Sequence, residues 1–489
     1  MSLRWRVMFL TPLMLLMLLA GCATNPVSKK PEFVMMSEKQ ELELGQRAAA
    51  QVAKQMPLLP EDDPLVQYVN EVGQKVAAVS DRPELYYRFH VVDDKTINAF
   101  ALPGGYIYIY RGLLVHLNSE AELAAVLGHE IGHVTARHAV ERYTQTQAYR
   151  LGMAVASIFV PIPQAIGQIS DLIAMATIQG FGRKDELQAD ELSIRYITRA
   201  GYDPHATIRI LQTLKRLEDI RIKETKDETG KAPEIYHGAF ASHPATEKRI
   251  REAVAEAAAS EEKSGFWGRE RFLAKLDGQP YGDSAREGAV VGRRFLHPKM
   301  HVQLAFPKEW VIHNGHAALT ARRRRERVYF RLTMNKLQKR QSAEDVLRDM
   351  FSKRRLERLE RLRRGPFELA QAEVNVSMRD VGQARALVAV ARRRDEAWML
   401  LCVSQRARFD QWRGECRAIL DSFRAYDPAR EGDIPRIHLH VWKRGDSWQK
   451  LAAANHNVLG RFTADRLAAL NGMDVNETPK PGRIVKTVE

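Results

Sequence analysis

Two histidines one helical turn apart, with a glutamate beside the first, are the residues of this chain best placed to do chemistry: His129-Glu130-Ile131-Gly132-His133. On a helix, positions i and i+4 share a face, so both imidazoles can meet one divalent ion while Glu130 sits next to it. A neutral imidazole nitrogen binds Zn2+ at about 2.0 to 2.1 Å, and a site built for hydrolysis keeps one position for water. A third ligand has to come from elsewhere. Only three cysteines occur among 489 residues, which excludes a Cys-rich zinc domain and leaves His and carboxylate as donors. Downstream, Arg183-Lys-Asp-Glu186-Leu-Gln-Ala-Asp190 sets two carboxylates four residues apart. That spacing suits one ligand plus one acceptor for a ligating histidine's other N–H. The residues alone leave a bland alternative open: satisfied helix histidines, and carboxylates scattered on a solvated helix.

The elements that must position these groups are legible around them. Ser119-x-x-Glu122 has the form of a capping box, and Leu123, Val126, Leu127 and Val134 follow at helical spacing. The Glu186 stretch reads as a second helix ending near Gly201, where a C′ glycine is expected. From Phe33 to about Glu262 the pattern is mostly helical, broken by one strand region at Tyr87–Tyr110 around the turn signal Pro103-Gly104-Gly105.

The runs Ile97-Asn-Ala-Phe-Ala-Leu-Pro-Gly-Gly-Tyr-Ile107, Glu120-Ala-Glu-Leu-Ala-Ala-Val-Leu-Gly-His-Glu-Ile-Gly-His133 and Glu186-Leu-Gln-Ala-Asp190 resemble peptidase family M48, which includes the CAAX prenyl proteases and the HtpX proteases. The resemblance covers roughly Phe33 to Glu256. It implies one Zn2+ per chain held by His129, His133 and Glu186, with Glu130 as general base and Asp190 as the acceptor behind a ligand. It also implies a mainly α, zincin-like (gluzincin) peptidase domain over 33–280. Its small β-sheet would bind substrate as an extended strand, along Ala99–Ala101 or Tyr106–Tyr110. Ser242-His243-Pro244 resembles a His-Pro motif of the same family, in which such a histidine closes the site or stabilises the transition state; a surface turn with an incidental histidine is the other reading. The insertion Leu151–Ile178 is expected as a buried helical hairpin, or else as a lid.

The N-terminus reads as an address. Arg4 and Arg6 precede an apolar run from Val7 to Leu19, shorter than the roughly 20 residues a membrane span needs. Leu19-Ala20-Gly21-Cys22 resembles the bacterial lipobox. It implies a lipoprotein signal peptide over 1–21, lipidation of Cys22, a tether over 22–32, and attachment to the outer membrane facing the periplasm. A mean hydropathy of −0.36 excludes a polytopic membrane protein.

Beyond the peptidase region the chain is strongly basic. Of a net charge of +15, Arg322–Arg364 supplies 17 Lys/Arg against 6 Asp/Glu, or +11. Its centre, Val346–Leu362, puts Leu347, Met350, Phe351, Leu356, Leu359 and Leu362 on one stripe and reads as an amphipathic helix. Strand-like runs surround it, giving an α+β domain over 285–427 of unassigned function. Nucleic acid is not expected as a partner, because no groove-reading or aromatic motif accompanies the charge. Cys402 and Cys416 form an even pair, a candidate disulfide in an oxidising compartment. The segment 436–489, with His440-Val-Trp-Lys-Arg-Gly-Asp-Ser-Trp448 and Leu467-Ala-Ala-Leu-Asn471-Gly-Met, resembles a LysM-like βααβ module, which implies binding to peptidoglycan.

The chain is therefore expected to be a multidomain zinc endopeptidase of the bacterial cell envelope, acting on unfolded or misassembled envelope proteins. The competing expectation is an envelope-anchored binding or chaperone-like scaffold with a closed zinc site and a glycan-binding C-terminus.

Overall fold

The computed structural model describes residues 22–27, 29, 31–34, 36–157, 168–229, 243, 246–260, 264–315, 317–338, 341–378, 381–432, 434–453 and 462–489. The signal segment 1–21 lies outside them, as do Ser242, Pro244 and the centre of the 151–178 insertion. The chain divides into two compact units, one running to Gln279 and resuming over Ile437–Thr487, the other Pro280–Arg436 with Val488–Glu489.

In the first unit the helix Glu120–Thr135 begins where Ser119 adopts an extended backbone and its hydroxyl accepts from the Glu122 N–H at 3.1 Å. The reciprocal half of the box is displaced by one residue: Glu122 Oε2 accepts from the Asn118 N–H at 2.7 Å. Both contacts satisfy amides near the start of the helix that have no partner within it. All 16 residues of this helix are buried, so the apolar stripe read from its sequence understates its burial, and it is a central core helix.

A second helix, Arg183–Arg199, packs across it at close range. A Cβ on Gly132 would stand 3.1 Å from Leu192 Cβ, and one on Gly128 would stand 3.2 Å from the Ile197 side chain. The second helix ends as its sequence predicts. Gly201 takes φ +82°, its N–H donates to Thr198 O, and the Tyr202 N–H donates to Ile197 O, the paired bonds of a Schellman motif.

The strand region forms a three-stranded sheet. Tyr106–Tyr110 lies in the centre, parallel to Arg88–Val92 and antiparallel to Ala99–Leu102. Gly104 and Gly105, at φ +78° and +87°, make the tight return between the two antiparallel strands. Of the two strands expected to receive substrate, Tyr106–Tyr110 has both neighbours filled, while Ala99–Leu102 is at the edge.

Two further stretches carry defined elements. The proline-bearing segment 22–32 contains strands: Cys22–Thr24 pairs with Pro31–Phe33, and Asn25 donates to Ala136 O at 3.2 Å. The described parts of the insertion are the helices His138–Ser157 and Gln168–Ala174 and a π-helical turn, Met175–Gln179.

The C-terminal part of this unit runs strand Ile437–Val441, helices Trp448–Ala453 and Thr463–Leu470, and strand Ile484–Val488, with the two strands paired. It is fastened to the helical region by charge and by packing. Lys486, fully buried, donates to Val115 O at 2.7 Å and Leu117 O at 2.6 Å. Arg466 pairs with Glu224 at 2.5 Å, and Ala469 packs on Leu217 and Ile220.

The second unit is built on a seven-stranded antiparallel sheet in the order Leu356–Arg364, Phe367–Met378, Gly382–Arg393, Glu396–Gln405, Val328–Lys336, Ala318–Arg323, Trp310–Gly315. The helix Phe409–Asp421 covers one face, with Phe330, Phe367, Trp398, Phe409 and Trp412 in a shared core. Cys402 on the sheet and Cys416 on that helix are joined as a disulfide, with Cα atoms 5.6 Å apart.

The amphipathic helix read over Val346–Leu362 is not one element. A helix spans Ala343–Met350, Phe351 leaves the helical region, and Leu356–Arg364 is an edge strand. The repeat Leu-Glu-Arg-Leu-Glu-Arg-Leu has a period near three that suits a helix. Pairing with Phe367–Met378 overrides it through a bulge at Arg358, φ +52°, where the register shifts between Glu357 and Glu360. Much of the basic charge is spent inside the unit. Buried Glu373 alone faces Arg358 at 3.2 Å, Arg385 at 2.7 Å and Arg413 at 2.8 Å.

Lys486→Met would leave two buried carbonyls without their donor. It is expected to lower the unfolding free energy by about 2 to 4 kcal/mol, read as a shift of the urea midpoint; an unchanged midpoint would show that the contact contributes no stability.

Candidate metal centre

The close approach of the two helices brings the predicted residues together. His129 Nε2 and His133 Nε2 are 3.1 Å apart. Glu186 reaches both, with Oε2 at 3.5 Å from His129 Nε2 and Oε1 at 3.6 Å from His133 Nε2. Asp190, one turn further along, meets the far side of the first imidazole, His129 Nδ1 to Oδ1 at 3.0 Å. Ligand bonds of about 2.0 to 2.1 Å in a tetrahedron set donor atoms about 3.3 Å apart, so these spacings fit one small cation.

His243 also converges on this point, buried to 2% exposure. Its Nδ1 lies 2.7 Å from Glu186 Oε1 and 3.3 Å from His129 Nε2, and its Nε2 faces Glu130 Oε1 at 3.7 Å. Among the described residues, His129, His133, Glu186 and His243 each offer one ligand atom, all within 4.8 Å of one another. Among the described residues, the buried Glu130 Oε2 and His243 Nε2 find no hydrogen-bond partner, a state that buried polar atoms rarely keep without an ion, water or reaction to serve.

The electrostatics agree with a cation site. Burial works against ionisation of Glu186, but the charges of His243 and Arg249 outweigh it and hold the carboxyl well below its usual range. Burial likewise opposes Asp190, which Arg249 brings down. Burial opposes a charged His129 too, yet hydrogen bonds to Asp190 and Glu186 raise it to about 9, so the anionic cluster pulls a positive charge toward the ligand atoms. Glu130 differs, because burial pushes its carboxyl up, toward the range of a group that both takes and returns a proton.

Two members of the site were not singled out from the sequence. Arg249 holds Asp190 through Nε at 2.7 Å and Glu186 at 2.8 Å, and donates to His243 O at 3.1 Å. A signal for it existed, since Arg249 shares the buried face of the helix Glu247–Ala259 with Ala253 and Ala257, and an arginine on an alanine stripe needs a buried partner. Phe181, just past the π-helical turn, stacks on His133 with ring centroids 4.0 Å apart; nothing in its neighbourhood announced it. Beside Glu130 opens a narrow cleft whose apolar wall includes Val126, Ile210, Leu211 and Leu214.

Cys22 lies in the short strand Cys22–Thr24, and Cys402 and Cys416 belong to the other unit.

Because the helices touch at Gly132, Gly132→Val is expected to cost about 1 to 3 kcal/mol by overpacking and to draw Glu186 away from the histidines. Thermal unfolding with and without added zinc tests this. The variant should show a smaller zinc-dependent rise in Tm than the wild type, and an equal rise would refute the packing argument.

Residues 65–257 match the family model described as Peptidase family M48. The chain is 33% identical over 230 residues to the mitochondrial metalloendopeptidase OMA1 of Schizosaccharomyces pombe, covering 46% of this chain and 64% of that protein. It is 30% identical over 228 residues to the beta-barrel assembly-enhancing protease of Escherichia coli, covering 45% and 44%. With the Arabidopsis thaliana OMA1 it shares 34% identity over 157 residues, 32% of either protein. The chain thus spans from 32% to 64% of the length of these relatives. Among the described residues no helix is long and apolar enough to cross a membrane. The segment 65–257, which carries the histidine helix, the carboxylate helix and the edge strand, is thus the part of the chain that is similar to peptidase family M48.

Proposed function

We propose that this chain is a zinc-dependent endopeptidase of the bacterial cell envelope. The observation that carries the reading is the convergence of His129, His133 and Glu186 on one point, with the unpartnered Glu130 carboxylate oxygen beside it. His129, His133 and Glu186 would hold the ion. Zinc bound there supplies Lewis-acid polarisation of the scissile carbonyl and lowers the pKa of water from 15.7 to about 7. Glu130 takes the water's proton and delivers it to the leaving amine, a role worth about 10² to 10⁴ in rate. Asp190, anchored by Arg249, keeps His129 in the tautomer that presents Nε2. An extended substrate segment adds to the edge strand Ala99–Leu102, and the wall of Val126, Ile210, Leu211 and Leu214 favours an apolar side chain beside the cleaved bond.

Unfolded or misassembled envelope proteins are the substrates this reading favours, supported by the likeness to relatives named beta-barrel assembly-enhancing protease. Lipidation of Cys22 would hold the enzyme at the outer membrane on its periplasmic side, and the LysM-like C-terminal segment would hold peptidoglycan. Glu130→Gln is expected to lower casein cleavage by at least about 10²-fold while zinc content by mass spectrometry stays near one per chain. Cleavage retained by this variant would remove Glu130 from the mechanism; no cleavage by the wild type would favour the scaffold reading.

One observation favours a resting form of the same enzyme that is shut. His243 Nδ1 stands among the ligand atoms where water would enter, and a site with four protein ligands is closed to substrate. His243→Ala is expected to raise basal casein cleavage several-fold at unchanged zinc content. A fall instead would make His243 a stabiliser of the transition state.

A further inference from the structure

His129 has its outer nitrogen fixed by Asp190, and the structure supplies His133 with a different device. His133 Nδ1 lies 2.8 Å from His138 Nδ1, and His138 Nε2 lies 3.0 Å from Gln188 Oε1. With His138 neutral and the Gln188 amide oxygen as its partner, one placement of hydrogens satisfies both contacts. An amide oxygen can only accept, so His138 carries its proton on Nε2 and donates to Gln188. His138 Nδ1 is then an acceptor, so His133 carries its proton on Nδ1 and leaves Nε2 bare toward the ligand cluster.

The backbone goes out of its way to make this arrangement. The histidine helix stops at Thr135, Arg137 takes the left-handed conformation at φ +58°, and a new helix starts at His138. A continued helix would turn residue 138 to a different face from residue 133. A non-glycine residue in this region costs about 1 to 3 kcal/mol and persists only where its surroundings hold it. Here they do, since the Arg137 guanidinium donates to buried Glu41 at 2.8 Å. Gln188 lies on the carboxylate helix, between Glu186 and Asp190.

We propose that His138 and Gln188 are positioning residues that hold His133 in the Nδ1–H tautomer, with Nε2 aimed at the metal. The proposal rests on the zinc reading above. Partners in this position typically contribute 10- to 100-fold to metal affinity, and through Gln188 the same helix would orient both histidines.

The test is zinc affinity of the full chain by chelator competition, together with the visible spectrum of the Co2+-substituted protein, for wild type, His138→Phe, His138→Asn and Gln188→Leu. His138→Phe keeps the ring and deletes the acceptor; it should weaken zinc about 10- to 100-fold and alter the Co2+ bands. His138→Asn returns an oxygen near the position of Nδ1 and should recover most of both. Gln188→Leu, at the partly exposed end of the relay, should weaken zinc by a smaller factor, and it decides the matter if His138→Phe does not fold. Wild-type affinity and an unchanged spectrum in His138→Phe, or in Gln188→Leu where that variant decides, overturn the relay alone. A wild-type chain that binds no zinc overturns the zinc reading and the relay together.

Discussion

The arrangement depends on how closely two helices can lie. Glycine at positions 128 and 132 flanks the first two predicted ligands on their own helix and removes the side chains that would otherwise separate it from Ala189, Leu192 and Ile197. Packed interiors do not stretch to absorb an extra methyl group. The separation of the helices, and with it the distance from two imidazoles to one carboxylate, is therefore set by the absence of two Cβ atoms. The burial of every residue of the histidine helix follows, because a strut that carries ligands on one side and this contact on another has no face left for solvent.

Around that contact the protein has collected charges that would be costly alone. Arg249 answers two carboxylates and a carbonyl, and Glu41, itself 1% exposed, answers Arg82 and Arg137. Buried ions of this kind add little net stability over an apolar core, but removing one partner is severe. They do fix geometry. Asp190 cannot swing from His129 without abandoning Arg249, and Arg137 cannot relax its backbone without abandoning Glu41.

What could be read beforehand was local. The pair His129 and His133 declares itself because five residues on one helix are enough to define a shared face, and Ser119 and Gly201 mark helix ends through bonds spanning a few residues. Glu186 and Asp190 could be seen to share a face, but not to face the histidines; longer family motifs were needed to choose them over a solvated pair. Arg249 and Phe181 act across more than 45 residues of sequence, and nothing local records such a meeting. The misread stretch after Met350 shows the converse. Its threefold leucine repeat is a true local preference, and a neighbouring strand overrules it. The cysteines lay in between: their number suggested a pair, while only the sheet and helix that carry them define the distance.

The buried amine of Lys486 has a consequence for the order of events during synthesis. It closes carbonyls at Val115 and Leu117, just ahead of the histidine helix, from 371 and 369 positions further along the chain. Contacts of such separation form late, because the loop they close must first be drawn in. Translation has therefore passed Lys486 before the carbonyls ahead of that helix acquire this hydrogen-bond donor. A chain that ends short of Lys486 would carry His129, Glu130 and Glu186 without this support beneath their helices.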